Sequence, residues 1–293
     1  MIRYSSIKLG GVIATLEKEN RYISQRDMYY SLKFLFKSQN DCNRLILQIG
    51  KVLNLKRHEM RIIPSSRGYV AGNLKFRVKN LDDNWTNCMA SDIHGGTSIS
   101  NIWTSVSYEK IEIETGARYL IIIEKEGVFR RFCEDGFCKD LPCIIVTGCG
   151  YPDVATRALV HVISIKFPYL IIFGICDYNP HGLSLLLTYK LGSMNTNFEA
   201  EGFKAERLKW LGLRTDQISS LNLDKSCFET MKDTDIQKIK WLLDRSDISD
   251  EYKQEITKMQ EFNRKCELEA LYSLEVGYIS NHFKHLILNR NYI

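Results

Sequence analysis

Two adjacent tyrosines, Tyr29 and Tyr30, lie in the stretch RDMYYSLKF, where a phenol could act as a nucleophile. Counted on a helix, Tyr29 falls among apolar side chains, whereas Tyr30 falls on a stripe with three cations. These cations are Arg26, Lys33 and Lys37. Nearby cations favour the phenolate form and can hold a phosphodiester under attack. The alternative is a half-exposed ring on a solvated basic face, and the pattern alone leaves the two interpretations about equal.

Two carboxylates, Glu124 and Asp177, follow the apolar runs in IIIEKEG and GICDYNPHG. If these runs are parallel strands, both acids lie at the carboxyl edge of one sheet. Oxygen ligands gathered there suit Mg²⁺, which could neutralise a phosphate and orient a nucleic-acid backbone. Asn179 offers a third oxygen close to Asp177. The alternative is that the acids cap the following helices and that Asn179 is a turn residue before Pro180.

The first 95 residues predict helices followed by short strands. Ser24 and Asp27 fit a capping box, so a helix is expected over 25–38, and a second helix over 40–53. A basic loop and short strands with glycine turns follow. Helices followed by a small β-ribbon are typical of a winged-helix DNA-binding module.

From residue 96 onwards, apolar strands alternate with helical stretches, as in a parallel sheet covered on both faces. Helices are expected over 126–133, over 153–167 and from about His181. The stretch NRKCELEALYSL, residues 263–274, predicts a charged, solvent-facing helix, and residues 282–293 predict an amphipathic segment that packs on this domain. We therefore predict an α/β plus α+β chain with a winged-helix domain at 1–95. A domain with a Rossmann-like parallel sheet and a C-terminal helical extension follows at 96–293.

Composition excludes several classes of protein. The net charge of +5 permits a nucleic-acid partner without requiring one. No run approaches the ~20 apolar residues of a membrane span, and the first residues lack a signal-peptide layout. Nine cysteines without a C-x-x-C pair indicate reduced thiols rather than a zinc site or a disulfide framework.

Three segments together resemble one family. RDMYY, SSRGYVAG and the pair EKEG with DYNPHG occur in the order and spacing of the meiotic double-strand-break transesterases, which are related to the A-type protein of topoisomerase VI. TGCGYPDVATR is similar to the family's glycine-rich segment, and the likeness runs from about Arg21 to the end. The resemblance implies a winged-helix domain with a catalytic tyrosine, followed by a Toprim domain with an acidic Mg²⁺ site.

The resemblance also implies roles for individual residues. Tyr30 would be the attacking residue, and Arg26 would assist at the phosphate. Arg67 would contact DNA. Glu124 and Asp177 would hold Mg²⁺.

Further polar residues are candidate DNA contacts. Lys33 and Lys37 could clamp phosphates, which would make binding fall steeply with salt. Arg157 lies about one turn into its helix and could reach a phosphate or form a surface salt bridge. His181 follows Pro180 at a predicted helix start and could contact DNA or simply cap.

Three features depart from the family pattern. Asn179 stands where a second aspartate is expected, which removes a negative charge but keeps an oxygen. Cys149 stands where a lysine is often found, which removes a possible phosphate contact. Only 29 residues precede Tyr30, so we expect a longer N-terminal extension to be absent.

The implied activity is transesterification of double-stranded DNA, which forms meiotic breaks with a 5′-phosphotyrosyl link. Two protomers would act together, as a homodimer or in a heterotetramer with a B-type protein. The expected location is the nucleus in a eukaryote and the cytoplasm otherwise. One alternative is the A-type protein of topoisomerase VI, which works with a B-type ATPase, and another is a DNA-binding interaction protein that has lost cleavage. A Toprim nuclease using water would leave the tyrosine on its basic face unexplained.

Overall fold

Two apolar cores divide the part of the chain that the structure describes. The structure is a computed structural model that describes residues 2–64, 66–79, 84–89, 95–192 and 202–293. The smaller core lies within residues 9–62, and the larger one extends from Val70 to Ile287. No helix in these described ranges is long and apolar enough to cross a bilayer.

Three helices and a short strand pair build the smaller core. The elements are α1 (Ile2–Lys18), β1 (Ile23–Ser24), α2 (Gln25–Ser31), α3 (Gln39–Leu53) and β2 (Ile62–Ile63). Strands β1 and β2 pair in parallel. Met28 from α2 and Ile46 from α3 are fully buried between these elements. The predicted helix over 40–53 is confirmed as α3.

The start of α2 is confirmed, but its predicted length is wrong. Ser24 Oγ accepts the Asp27 N–H at 3.0 Å, which caps the helix as expected. The helix ends at Ser31 rather than near residue 38, and a 3₁₀ turn follows over Lys33–Leu35. This turn lets Leu32 bury its side chain in the smaller core, so packing overrides the helical periodicity.

A six-stranded sheet carries the larger core. Its strands are β3 (Tyr69–Gly72), β6 (Thr97–Ser98), β8 (Tyr119–Ile123), β9 (Cys143–Thr147), β10 (Ile171–Ile175) and β11 (Leu208–Gly212). Their order is β11-β10-β8-β9-β3-β6, with β8, β9, β10 and β11 parallel to one another, whereas β3 pairs antiparallel with both β9 and β6. The three apolar runs of the sequence thus form parallel strands of one sheet, as predicted, and they are neighbours in it.

Strand β3, from SSRGYVAG, changes the predicted domain boundary. It pairs with β9 in the large sheet instead of forming a ribbon with the first helices, so the winged-helix arrangement is not confirmed. The boundary between the two cores falls between Ile62 and Val70, not near residue 95. The amino-acid pattern of a short strand does not reveal its partner. Gly68 permits this docking, because a Cβ there would clash with the Thr156 side chain and the Thr147 carbonyl.

The remaining elements surround the large sheet. A three-stranded antiparallel sheet consists of β5 (Thr86–Asn87), β4 (Lys75–Val78) and β7 (Ile111–Glu114). The helices are α4 (Ile102–Ser105), α5 (Glu126–Glu134), α6 (Phe137–Asp140), α7 (Val154–Lys166), α8 (Pro180–Leu191), α9 (Thr215–Ser220), α10 (Asp233–Leu243), α11 (Asp250–Phe262) and α12 (Tyr278–Leu288). Strands β12 (Phe228–Thr230) and β13 (Arg264–Cys266) form an antiparallel pair. Helices α5, α7 and α8 confirm the three predicted helical stretches.

The segment over 263–274 is not the charged, solvent-facing helix that was predicted. It contains β13 and a 3₁₀ helix over Leu268–Ser273, with Leu268 fully buried. Cys266 exchanges two backbone hydrogen bonds with Tyr178, which hold the segment against the end of β10. The C-terminal segment does pack on this domain, as predicted, because Ile293 exchanges two backbone hydrogen bonds with Trp210.

Candidate functional site

Glu124 and Asp177 meet at the carboxyl edge of the large sheet. Strands β8 and β10 are neighbours, with Ile123 opposite Ile175, so the residues that follow them lie side by side. The Glu124 N–H donates to the Ile175 carbonyl at 3.0 Å. Glu124 Oε2 in turn accepts the Asp177 N–H at 3.0 Å. The parallel sheet therefore brings together the two acids singled out in the sequence.

Both carboxyl groups lie in a poorly solvated environment. Burial, and then the charge of Asp177, raise the pKa of Glu124 to about 7. Burial also raises the pKa of Asp177, although the Leu268 N–H and the Lys125 ammonium act in the opposite direction. Two acids held together away from water are stabilised by a cation at this position.

Lys125 supplies such a cation within the chain. Its Nζ lies 3.2 Å from Asp177 Oδ2, 3.1 Å from Glu267 Oε2 and 2.5 Å from Glu269 Oε2. Burial lowers the pKa of Lys125, but the hydrogen bond to Glu269 and the charge of Asp177 raise it overall. The amino-acid pattern does not reveal these contacts, because Glu267 and Glu269 fall in the segment that was predicted to face solvent.

Asn179 acts as a helix cap. Its Oδ1 accepts the Gly182 N–H at 2.8 Å, at the start of α8. Within the described residues, no group of three or more His, Cys, Asp or Glu side chains is arranged to hold a metal ion. Glu124 and Asp177 are the candidate oxygen donors at this edge. Such a pair fits Mg²⁺, which proteins commonly bind through one or two carboxylates together with water and substrate phosphates.

The glycine-rich loop after β9 holds Arg67 at the same edge of the sheet. The Gly150 N–H donates to the Glu124 carbonyl at 2.9 Å. Asp153 Oδ2 accepts the Arg67 N–H at 2.7 Å, and the Cys149 thiol donates to the Arg67 carbonyl at 3.2 Å. The backbone of Arg67 is thus fixed to the loop that contacts Glu124, while its side chain is exposed.

Cys149, which stands in place of a lysine, is a protonated thiol near neutral pH. Burial, and then the neighbouring Glu126, raise its pKa to about 11. It therefore supplies no charge to a phosphate. All nine cysteines lie in the described residues, and none forms a disulfide bond.

Tyr29 and Tyr30 lie on different sides of α2. Tyr29 packs against the smaller core, whereas the Tyr30 side chain is 52% exposed. The Arg26 guanidinium carbon lies 5.7 Å from the centre of the Tyr30 ring. Gln25 anchors the helix, because its side-chain oxygen accepts a hydrogen bond from Arg57 at 2.9 Å. The structure therefore presents Tyr30 to solvent beside a cation.

Of the other basic residues predicted to contact DNA, two are exposed and one is buried. Lys33 and Lys37 are exposed but follow the end of α2, so they do not continue a helical stripe with Tyr30. Arg157 is 5% exposed and donates to the Phe203 carbonyl at 3.1 Å. Its prediction as a DNA contact is wrong, because α7 packs its guanidinium inside the protein.

His181 contacts another helix. Its Nε2 lies 3.3 Å from Asp235 Oδ1 on α10, and Lys265 Nζ lies 3.1 Å from the other oxygen of Asp235. His181 nevertheless keeps about half of its side-chain surface exposed, at 50%. The contact with Asp235 on α10 orients the His181 imidazole. A DNA contact by His181 stays a prediction.

Comparison with known proteins gives consistent matches. A family model for the Toprim domain shared by Spo11 and the A protein of topoisomerase 6 matches residues 119–286, and one described as type IIB DNA topoisomerase matches residues 6–62. Meiotic recombination protein SPO11-2 of Oryza sativa subsp. japonica is 32% identical over 281 residues, which cover 94% of this chain and 70% of the relative. Meiotic recombination protein SPO11 of Homo sapiens is 31% identical over 277 residues, which cover 94% of this chain and 68% of the relative.

The fold and the acid pair define a protein with a Toprim domain of the type found in type IIB DNA topoisomerases. Its parallel sheet carries the acids at the carboxyl edge, and a separate helical unit precedes it. This chain belongs to the family formed by Spo11 and the A protein of topoisomerase 6.

Proposed function

We propose that this protein forms meiotic double-strand breaks by transesterification of DNA. The Tyr30 oxygen attacks a backbone phosphorus and loses its proton, and the 3′ oxygen leaves as a hydroxyl. A 5′-phosphotyrosyl link remains. Water is not the nucleophile, so the phosphoester bond energy is conserved and cleavage needs no ATP. The observation that carries this proposal is the exposure of Tyr30 beside Arg26 in a chain that also holds the pair Glu124 and Asp177.

Arg26 and the exposed basic residues would bind the DNA backbone. The Arg26 guanidinium lies beside the Tyr30 ring, where it would bind the phosphate that Tyr30 attacks. Lys33 and Lys37 follow α2 and would hold neighbouring phosphates. Arg67, held at the acidic edge by Asp153 and Cys149, would contact the strand near the carboxylates.

Glu124 and Asp177 would hold Mg²⁺, which when bound neutralises charge on the phosphate and orients the strand. Glu124 accepts the Asp177 N–H, so its side chain helps to fix the backbone that carries the second acid. Asn179 fixes the start of α8 beside them. These residues position the DNA strand rather than attack it.

The active form would contain at least two protomers on double-stranded DNA. The tyrosine of one protomer would face the acidic edge of the other, either in a homodimer or in a heterotetramer with a B-type protein. Meiotic function places the protein in the nucleus of a eukaryotic cell. Two relatives that are named meiotic recombination proteins, one from a plant and one from a mammal, support this proposal.

A direct test is denaturing electrophoresis of the protein after incubation with labelled DNA and Mg²⁺. A covalent adduct that requires Tyr30 would support the proposal. Cleavage that leaves free 5′ ends, with no label on the protein, would refute it.

A further inference from the structure

Lys125 is held by acids from two separate parts of the chain. It follows Glu124 directly at the end of β8, and its Nζ contacts Asp177 at the end of β10. The other two acids, Glu267 and Glu269, come from the segment that follows β13. Only 23% of the Lys125 side chain is exposed, so the lysine is packed among these acids rather than extended into solvent.

The oxygens of Asp177 are divided between two partners. Oδ1 accepts the backbone N–H of Leu268 at 2.9 Å, and Oδ2 contacts the Lys125 ammonium at 3.2 Å. A divalent ion that bound Oδ2 would meet the Lys125 charge at close range, and like charges at such a distance repel strongly in a poorly solvated site. Lys125 must therefore move away from Asp177 before an ion can bind there.

Glu267 and Glu269 offer Lys125 an alternative position. Both carboxylates already contact Nζ, and the contact with Glu269 is shorter than the contact with Asp177. The Glu267 side chain is 67% exposed and that of Glu269 39%, so both can follow the ammonium as it moves. A lysine side chain can reorient through its four-carbon stem without any change in the backbone.

We propose that Lys125 is a displaceable counter-ion: it neutralises Asp177 when no divalent ion is bound, and Glu267 and Glu269 hold it aside when one binds. This inference rests on the proposed Mg²⁺ site. Lys125 and Glu269 are positioning residues in it, since neither touches the substrate or the ion. Glu269 thus favours metal binding indirectly, by holding the competing cation.

The test is isothermal titration of the full chain with MgCl₂ in the absence of DNA. The substitution Lys125→Met keeps the apolar stem and removes the charge, and it should tighten Mg²⁺ binding by roughly 3- to 10-fold. Glu269→Gln should weaken binding several-fold in the wild-type background. In the Lys125→Met background, the same Glu269→Gln change should have less than about a two-fold effect, because no ammonium remains to be held.

Two controls separate this mechanism from simpler ones. Glu261→Gln removes an exposed negative charge at the end of α11 and reports the general effect of net charge. Lys125→Gln, measured in parallel, provides a second neutral variant if Lys125→Met does not fold. An equal loss of affinity from Glu269→Gln in both backgrounds would show a direct metal ligand and overturn the inference.

The remaining outcomes separate the counter-ion role of Lys125 from the existence of the proposed metal site. If the wild type binds Mg²⁺ and neither neutral variant at position 125 binds it more tightly, the counter-ion role is refuted while the metal site stands. If neither the wild type nor these variants bind Mg²⁺ at millimolar concentrations, the proposed metal site is refuted and the inference fails with it.

Discussion

The carboxylate of Glu124 accepts the backbone N–H of Asp177 at 3.0 Å, across two neighbouring parallel strands. This bond connects a side chain at the end of β8 to the backbone that carries the second acid. The position of the Asp177 backbone relative to Glu124 is therefore set at the ends of two paired strands. Changes at Glu124 should affect both its own charge and the placement of Asp177.

Loss of Glu124 should impair cleavage much more than loss of Asn179. We expect Glu124→Ala to reduce Mg²⁺-dependent formation of the covalent adduct by roughly 100-fold or more, since electrostatic stabilisation by a bound ion is worth several kcal/mol. Asn179→Ala removes no charge. A Mg²⁺ titration of adduct formation measures both effects, and Glu124→Gln, which keeps an acceptor for the Asp177 N–H, separates charge from position. Equal defects in the Glu124 and Asn179 variants would contradict the assignment.

Asn179→Asp should tighten Mg²⁺ binding without loss of stability. Aspartate caps helices about as well as asparagine, and a negative charge at the start of α8 is favoured by the helix dipole. The new carboxylate would lie two residues after Asp177. Calorimetric titration with MgCl₂ should show several-fold tighter binding than in Asn179→Ser, which keeps a cap without a charge. If the Asp and Ser variants bind alike, position 179 does not face the ion.

Tyr30→Phe should abolish covalent attachment to DNA, whereas Tyr29→Phe should largely retain it. The Tyr30 side chain lies on the exposed side of α2, whereas Tyr29 is partly buried against the smaller core. Electrophoresis of labelled DNA under denaturing conditions reports the adduct directly. The Tyr29 variant is the matched control, because it removes the same atom one residue away. Comparable loss in both variants would exclude Tyr30 as the sole nucleophile.

Much of the acidic edge could be predicted because it depends on local pattern. Continuous apolar runs identify buried parallel strands, and residues just after such strands must gather at one edge. This pattern alone predicts that Glu124 and Asp177 lie together. The cap at Ser24 was predictable for the same reason, since its hydrogen bond involves only neighbours in sequence.

The remaining features depend on contacts between distant segments. Strand β3 has too few residues to specify its partner, so its docking beside β9 could not be predicted. Glu267 and Glu269 lie in a charged pattern typical of an exposed helix. In the structure both contact Lys125, which precedes them by more than a hundred residues in the sequence. Helix α2 ends at Ser31, and Leu32 just after it packs in the smaller core, which a helical count cannot detect.

Salt dependence should identify which exposed cations bind DNA phosphates. Each phosphate contact that is lost should reduce the slope of log affinity against log salt by about 0.9 for duplex DNA. We expect this change for Lys33→Ala and for Arg67→Ala, measured by fluorescence anisotropy with a labelled duplex. Lys258→Ala on α11 is the control, because this exposed lysine pairs with Glu255 and is not one of the predicted DNA-binding residues. A slope that is unchanged in the first two variants would remove those residues from the interface.

Gly68→Ala should destabilise the protein by about 1–3 kcal/mol, as expected for overpacking against atoms that cannot move away. A Cβ at this position would lie 2.8 Å from the Thr147 carbonyl oxygen, which belongs to strand β9. Gly127→Ala on α5 is the matched control, since its Cβ would have no neighbour within 4 Å and alanine favours a helix by ~0.5–1 kcal/mol. Urea denaturation measures both changes. The same distortion should move Arg67, so Gly68→Ala should also weaken DNA binding under conditions where the variant is folded. If Gly68→Ala is as stable as the wild type, strand β3 does not dock on β9 as closely as the structure shows.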